Sequence, residues 1–384
     1  MGYTLKLSGR IDISNAAETE KELMSEIDAH GTDRPDIDAS ELTYISSAGL
    51  RVLMKIRKRF SQSLAITEVS EGVYDILSTT GFTELFDVKK RLRELSVEGC
   101  EVIGKGFYGT VYRLDEETIV KVYEPGCSVD IIENEQQKAK TAFVKGIPTA
   151  ISYDMVRVGD SYGAVYELFR SETLNDIIIK HPEQADDIIG KYVAFIRQIH
   201  SLRAYGVALP TASGRFWHYL EFMKDEIGDE MHDRLKKMIS ALPYDDKFIH
   251  GDLQMKNVMM CDGEMMLIDM DTMSKGQPIF DLQALYVTYM QFLEDDPGNS
   301  MAFLGITSEM SRHIWNRVIR LYLGSEDEAI IRKAEDKIRI LAYVRFLYII
   351  LSSDLKGTDL GRLRIKHAKE GLADLCSRVS DLAL

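Results

Sequence analysis

Cysteine is scarce in this chain and poorly placed for chemistry. Cys100, Cys127, Cys261 and Cys376 are scattered through 384 residues, with no Cys-x-x-Cys and no histidine at ligand spacing. They read as reduced thiols of a cytoplasmic protein, which excludes a disulfide framework or a zinc site. A basic excess is missing as well. The formal net charge of −14 argues against a nucleic-acid partner, which wants a positively charged face. No run approaches the roughly 18 apolar residues of a membrane span; Leu347 to Leu351 is apolar but short and lies inside a helical pattern. Met1-Gly2-Tyr3-Thr4-Leu5-Lys6 contains no apolar signal core, so neither membrane nor export is expected. Internal repeats and low-complexity segments are absent too. The rest, 45% hydrophobic and 28% charged, is ordinary for a globular protein long enough for two or three domains.

What is present is concentrated between residues 248 and 271. Phe248-Ile249-His250-Gly251-Asp252 is an apolar run that delivers an Asp into a short loop, and Asn257 follows five positions on. Leu267-Ile268-Asp269-Met270-Asp271 is a second apolar run ending in carboxylates. Between them Asp262-Gly263 separates two short apolar stretches, a strong hairpin signal that would fold Asn257 and Asp269 back to the same end. Phosphoryl transfer needs these parts: a carboxylate to orient and deprotonate a hydroxyl, and an amide oxygen plus a carboxylate to hold Mg²⁺. The alternative reading is a polar loop whose Asp and Asn cap turns.

Upstream, residues 99 to 123 read as three strands, with Gly104, Gly106 and Gly109 near the first turn and Lys121 on the third strand. A dinucleotide site would want a helix straight after the glycines, whereas Thr110 to Leu114 is β-branched and strand-like. Lys121 points to the opposite face from Val120 and Val122, where it needs an anionic partner or solvent. A helix over 130–145 carries Glu133 and Glu135, and Ala164 to Phe169 reads as a further strand. Beyond residue 171 the pattern is mostly helical, and His200, on an apolar helix, reads as a packed residue. In order and spacing these segments resemble the aminoglycoside phosphotransferase and choline kinase branch of the protein-kinase-like fold. The resemblance implies an α+β bilobal domain with a mainly helical C-lobe, using ATP and Mg²⁺. It implies Asp252 as the base toward an acceptor hydroxyl and Asn257 and Asp269 as metal ligands. Lys121 would steady the α- and β-phosphates, with Glu135, the better match of the two glutamates, as its partner. Gly104, Gly106 and Gly109 would let backbone amides approach the phosphates. Backbone groups near Glu167 and Phe169 would meet the adenine, and Asp281 would brace the catalytic region.

The first 90 residues alternate strand-like stretches (3–11, 35–45, 64–69) with helical ones (16–30, 47–60, 72–79), which implies one small α/β domain. Ser8-Gly9-Arg10-Ile11-Asp12, Asp38-Ala39-Ser40, Tyr44 to Arg51 and Thr80 to Phe86 resemble the STAS fold of anti-sigma factor antagonists. That resemblance implies a mixed sheet with helices, a protein partner, and a phosphate-accepting serine at a helix N-terminus. Ser47 falls on that position, although Ser46 stands where many phosphorylated members have Asp. A helix N-terminus offers unpaired N–H groups and a positive dipole end to phosphate; alternatively, Ser47 caps its helix. Asp87 to Glu98 reads as a short charged junction. The expected division is a STAS-like domain over 1–92, a kinase-like N-lobe over 93–170 and a helical C-lobe over 171–384. Three functions stay open. The first is an ATP- and Mg²⁺-dependent kinase acting on a hydroxyl of an unknown small molecule or protein, regulated through the STAS domain. The others are a nucleotide-sensing switch with little turnover and an aminoglycoside-type antibiotic kinase.

Overall fold

The computed structural model describes residues 3–31, 33–106, 109–169 and 171–384. The chain divides into two compact units, Met1–Gly99 with Met155–Gly163, and Cys100–Asp154 with Ala164–Leu384.

In the first unit β1 (Tyr3–Ile11), α1 (Ala16–Ala29), β2 (Pro35–Ile45), α2 (Ser47–Arg57), β3 (Ala65–Val69), α3 (Glu71–Thr79) and β4 (Asp87–Lys90) alternate strictly. The sheet runs β1-β2-β3-β4, and all three pairings are parallel. The expected mixed sheet is corrected here. A strand that returns through a helical crossover enters the sheet in the same direction as its predecessor. Part of the expected junction, Asp87–Lys90, is accordingly the fourth strand. Leu5, Ile37 and Ile66 of the strands and Leu53, Ile56 and Leu77 of the helices meet in one core. A Cβ at Gly49 would lie 2.6 Å from the Ile45 side chain, so α2 packs this closely only because Gly49 has none. A short strand, β5 (Arg93–Glu94), completes the unit by pairing in parallel with Val156 and Arg157. Arg157 lies 3.6 Å from both Glu68 and Glu94.

The second unit begins with the three expected strands, β6 (Glu101–Lys105), β7 (Gly109–Arg113) and β8 (Thr118–Tyr123), as an antiparallel meander. The helix α4 (Val129–Val144) follows; of the next two strands, β9 (Asp154–Val158) lies almost wholly in the first unit and β10 (Ser161–Glu167) enters the second at Ala164. The remainder is mainly helical. It comprises β11 (Ser171–Thr173), α5 (Leu174–Lys180), α6 (Ala185–Ile199), α7 (Ala212–Ile227), α8 (Asp229–Ser240), β12 (Lys247–Ile249), β13 (Val258–Cys261), β14 (Glu264–Leu267), β15 (Ser274–Gly276), α9 (Ile279–Tyr286), α10 (Phe292–Asp295), α11 (Asn299–Leu304), α12 (Ser308–Leu323), α13 (Glu328–Leu351) and α14 (Asp359–Arg378). Tyr192, Tyr289, Trp315 and Phe346 are fully buried in its core. That core fixes α6, α9, α12 and α13 around the short strands that carry the polar loop. Among the described residues no helix is long and apolar enough to cross a membrane.

Candidate active site

The polar loop leaves β12 at His250 and turns at Gly251, whose φ of 86° lies in the left-handed region that favours glycine. A Cβ there would stand 2.8 Å from both the Thr272 carbonyl and Arg215 Nη1. The turn is pinned from below by Asp281, which is fully buried. Its carboxylate accepts from the backbone N–H of His250 (3.0 Å) and Gly251 (2.5 Å), and His200 Nε2 lies 2.9 Å from it. Burial alone would raise the Asp281 carboxyl; the bond from His200, neighbouring histidine charge and the Gly251 N–H outweigh it and hold the group below its ordinary value. His200 is packed, as expected, and is also a bonded partner of this brace, which its sequence context does not reveal.

So held, the loop presents Asp252 toward Asn257. Asn257 Nδ2 donates to the Asp252 backbone carbonyl at 2.8 Å and to Oδ2 at 3.0 Å, and Gln254 Nε2 donates to the same oxygen at 2.9 Å. The other carboxylate oxygen, Oδ1, lies 3.3 Å from Arg345 Nη2 on α13. The hairpin of β13 and β14 turns through Asp262 and Gly263, both with positive φ, and brings Ile268 N–H to the Asn257 carbonyl at 3.0 Å. Asp269 emerges on the same end as Asn257, itself at a φ of 62°. A non-glycine residue there costs on the order of 1 kcal/mol, which the surrounding structure must impose.

Lys121 of β8 lies 3.0 Å from Glu135 Oε1 on α4 and 3.5 Å from Asp269 Oδ1. Glu135 is buried, and its second oxygen accepts from the Tyr123 hydroxyl at 2.9 Å. Burial would lower the Lys121 ammonium, but Glu135 and Asp269 raise it further, so it stays protonated. Asp271, one turn on, is pushed up to about 6, chiefly by burial and then by Asp269 and Glu135.

The glycine segment divides in use. Gly104 and Gly106 have room around them, whereas a Cβ on Gly109 would stand 2.2 Å from the Val122 carbonyl. Gly109 is therefore needed for the approach of β7 to β8, whatever else it does. Phe107 and Tyr108 between them lie outside the described residues. Glu167 ends β10. Beyond it Leu168 N–H donates to the Glu117 carbonyl at 2.7 Å, and the Phe169 carbonyl accepts from Ser171 at 3.3 Å.

Asn257 and Asp269 suit a hard divalent cation, which takes oxygen donors. Asp269 Oδ1 is buried without a hydrogen bond, and the Lys121 ammonium 3.5 Å away is an ion pair too long to satisfy it. In the first unit Ser46, not Ser47, caps α2, its hydroxyl accepting from Ala48 N–H. The capping alternative for Ser47 is thereby removed, and Ser47 is exposed in the first turn. Sequence reasoning did not find Arg345, Arg215 or Lys138. Lys138 donates to the Asp271 carbonyl, and Arg215 donates to the Thr272 carbonyl at 2.5 Å.

Residues 99–301 match the model of the phosphotransferase enzyme family, and residues 3–95 match the STAS domain. BtrV of Bordetella bronchiseptica, described as a candidate anti-sigma factor antagonist, is 35% identical over 85 residues, covering 21% of this chain and 72% of BtrV. Among solved structures, a choline/ethanolamine kinase family protein from Mesorhizobium loti is 15% identical, with a TM-score of 0.46 over 73% of this chain and 92% of that one. The GDP and kanamycin complex of an aminoglycoside phosphotransferase of the 2″ class is 15% identical, with a TM-score of 0.48 over 78% of this chain and 98% of that one.

Proposed function

The chain belongs to the phosphotransferase enzyme family and carries a STAS domain ahead of it, and from that premise we propose an ATP- and Mg²⁺-dependent kinase. It moves the γ-phosphoryl group to the hydroxyl of a small molecule or protein, in the cytoplasm, with the STAS domain as its regulatory and partner-binding part. The observation that carries this reading is the convergence of Lys121, Glu135 and Asp269 within 3.5 Å contacts, beside a loop in which Asn257 holds Asp252.

Each group then has a task. The Lys121 ammonium, kept protonated by its two carboxylates, meets the α- and β-phosphates. Gly104 and Gly106 leave space for backbone to approach them. Backbone near Glu167 and Phe169 takes the adenine. Asn257 and Asp269 hold Mg²⁺, which when bound neutralises phosphate charge. Asp252, fixed by Gln254, Asn257 and Arg345, accepts the acceptor's hydroxyl proton. As that O–H bond breaks, the oxygen forms a bond to the γ-phosphorus and the bond to the bridging oxygen breaks, releasing ADP. Ser47, exposed at the start of α2, is proposed as a phosphate-accepting position of the STAS domain.

The test is transfer of labelled γ-phosphate, together with binding of Mg·ATP. Asp252→Asn is expected to keep nucleotide binding and to lower turnover by about 100-fold or more, because a positioned base is worth that much. Turnover at the wild-type rate in that variant overturns the assignment of Asp252.

A further inference from the structure

Helix α4 meets the turn that carries Asp269 by two routes. Glu135 and Lys138 stand three residues apart and so share one face of the helix. Glu135 holds Lys121, and Lys121 in turn lies 3.5 Å from Asp269 Oδ1. Lys138 donates directly to the backbone carbonyl of Asp271, two residues past Asp269. These contacts close a ring that runs from the helix through Glu135, Lys121 and Asp269 into the turn, and back through Lys138. The turn needs such support. Asp269 has a φ of 62°, where a residue with a Cβ stays only if its surroundings over-determine it. Arg215 holds the Thr272 carbonyl at 2.5 Å, and the Thr272 hydroxyl donates to the His250 carbonyl at 2.7 Å, so α7 and the polar loop secure the far end. Lys138 acts between those ties and the strained residue. It is itself half-buried, and burial, then the like charge of Arg215, lower its ammonium from the ordinary value. An ammonium in that setting, aimed at an uncharged carbonyl, serves as a donor rather than as a surface charge.

We propose that Lys138 is a positioning residue for the metal site: by holding the Asp271 carbonyl it keeps the turn closed, and so keeps Asp269 in the left-handed conformation that brings its carboxylate to the same end as Asn257. This rests on the reading of Asn257 and Asp269 as Mg²⁺ ligands. Lys138 acts through the turn and not on the reacting groups. When its bond is lost, the turn spends a smaller share of its time in the competent form, and the apparent metal affinity falls by that share. A hydrogen bond from a charged donor is worth about tenfold or more in such an equilibrium.

The experiment is calorimetric titration of AMP-PNP in Mg²⁺ and again in EDTA. The ratio of the two affinities reports metal capture and needs neither turnover nor a known acceptor. In Lys138→Met, which keeps the aliphatic stem, the ratio is expected to fall about tenfold while the affinity in EDTA stays within about twofold of wild type. Lys138→Arg keeps a cationic donor and is expected to recover most of the ratio. Lys140→Met removes an exposed charge from the same helix and is expected to change neither affinity. Urea unfolding in EDTA checks that each variant folds; if Lys138→Met does not, Lys138→Gln is read in the same way. A ratio unchanged in Lys138→Met overturns the proposal and leaves the kinase reading standing. So does an equal loss in Mg²⁺ and in EDTA, which a merely structural role would give, or a ratio in Lys138→Arg no better than in Lys138→Met. Wild-type AMP-PNP affinity that is the same with and without Mg²⁺ removes the metal ligands and this inference with them. Failure of AMP-PNP to bind at all overturns the kinase reading itself.

Discussion

At Asp271 burial outweighs every favourable neighbour. The carboxyl is pushed up to about 6 from an ordinary 3.8, so the folded protein holds a proton there that the unfolded chain has released. The stability this group leaves intact is present below about pH 4 and is lost as pH rises through about 6. In EDTA and without nucleotide, Asp271→Asn is expected to be more stable than wild type at pH 7.5 by on the order of 3 kcal/mol. The difference should vanish near pH 4, as urea unfolding at the two pH values will measure. A variant less stable at both would mean the carboxylate is held by bonds that outweigh its burial. The neighbouring residues also mark what a sequence discloses. Asp252 and Asn257 just precede one hairpin and Asp269 just follows it, so Asn257 and Asp269 come to the same end by spacing alone. Arg345 reaches Asp252 from 93 residues away, and an arginine set among the apolar residues of α13 does not disclose which distant loop it meets.

Among elements, the hairpin and the glycine segment were legible for different reasons. Asp262-Gly263 adopts the left-handed backbone that its residue types favour, so local chemistry sufficed. The glycines were legible only as a group, because the sequence does not tell space for a ligand from space for a strand. Gly109 belongs to the second kind. Gly109→Ala is expected to push β7 from β8 and to cost about 1–3 kcal/mol, the range of an overpacked site. Gly104→Ala, with Val111 at an ordinary 3.7 Å, should cost under about 1 kcal/mol in the same urea series. Equal losses would place the tight contact elsewhere. The parallel sheet shows the complementary limit. Strand and helix periodicities were plain, but strand direction followed from the crossovers, which the mixed-sheet expectation did not weigh.

At the scale of the molecule, two separate cores make a single melting temperature a poor description of stability. Mg·ATP is expected to raise the transition of the second unit by mass action and to leave that of the first in place, which differential scanning calorimetry resolves. A shift of only the first transition would misplace the nucleotide. After incubation with Mg·ATP, intact mass should show one added phosphate in wild type and none in Ser47→Ala or Asp252→Asn, as expected if the kinase modifies its own STAS domain. A phosphate that persists in Ser47→Ala would assign another acceptor. Residues 155–163 belong to the first unit, although the chain reaches them only after building the first strands of the second, and this bears on how the chain can be divided. A module whose boundary is a single cut can be traded between genes intact. Here the polypeptide returns to finish a part begun some sixty positions earlier, so recombination at one point would strand Val156 and Arg157 from their partners at Arg93 and Glu94. A single cut anywhere between Glu94 and Val156 would leave the first unit without one side of that pairing.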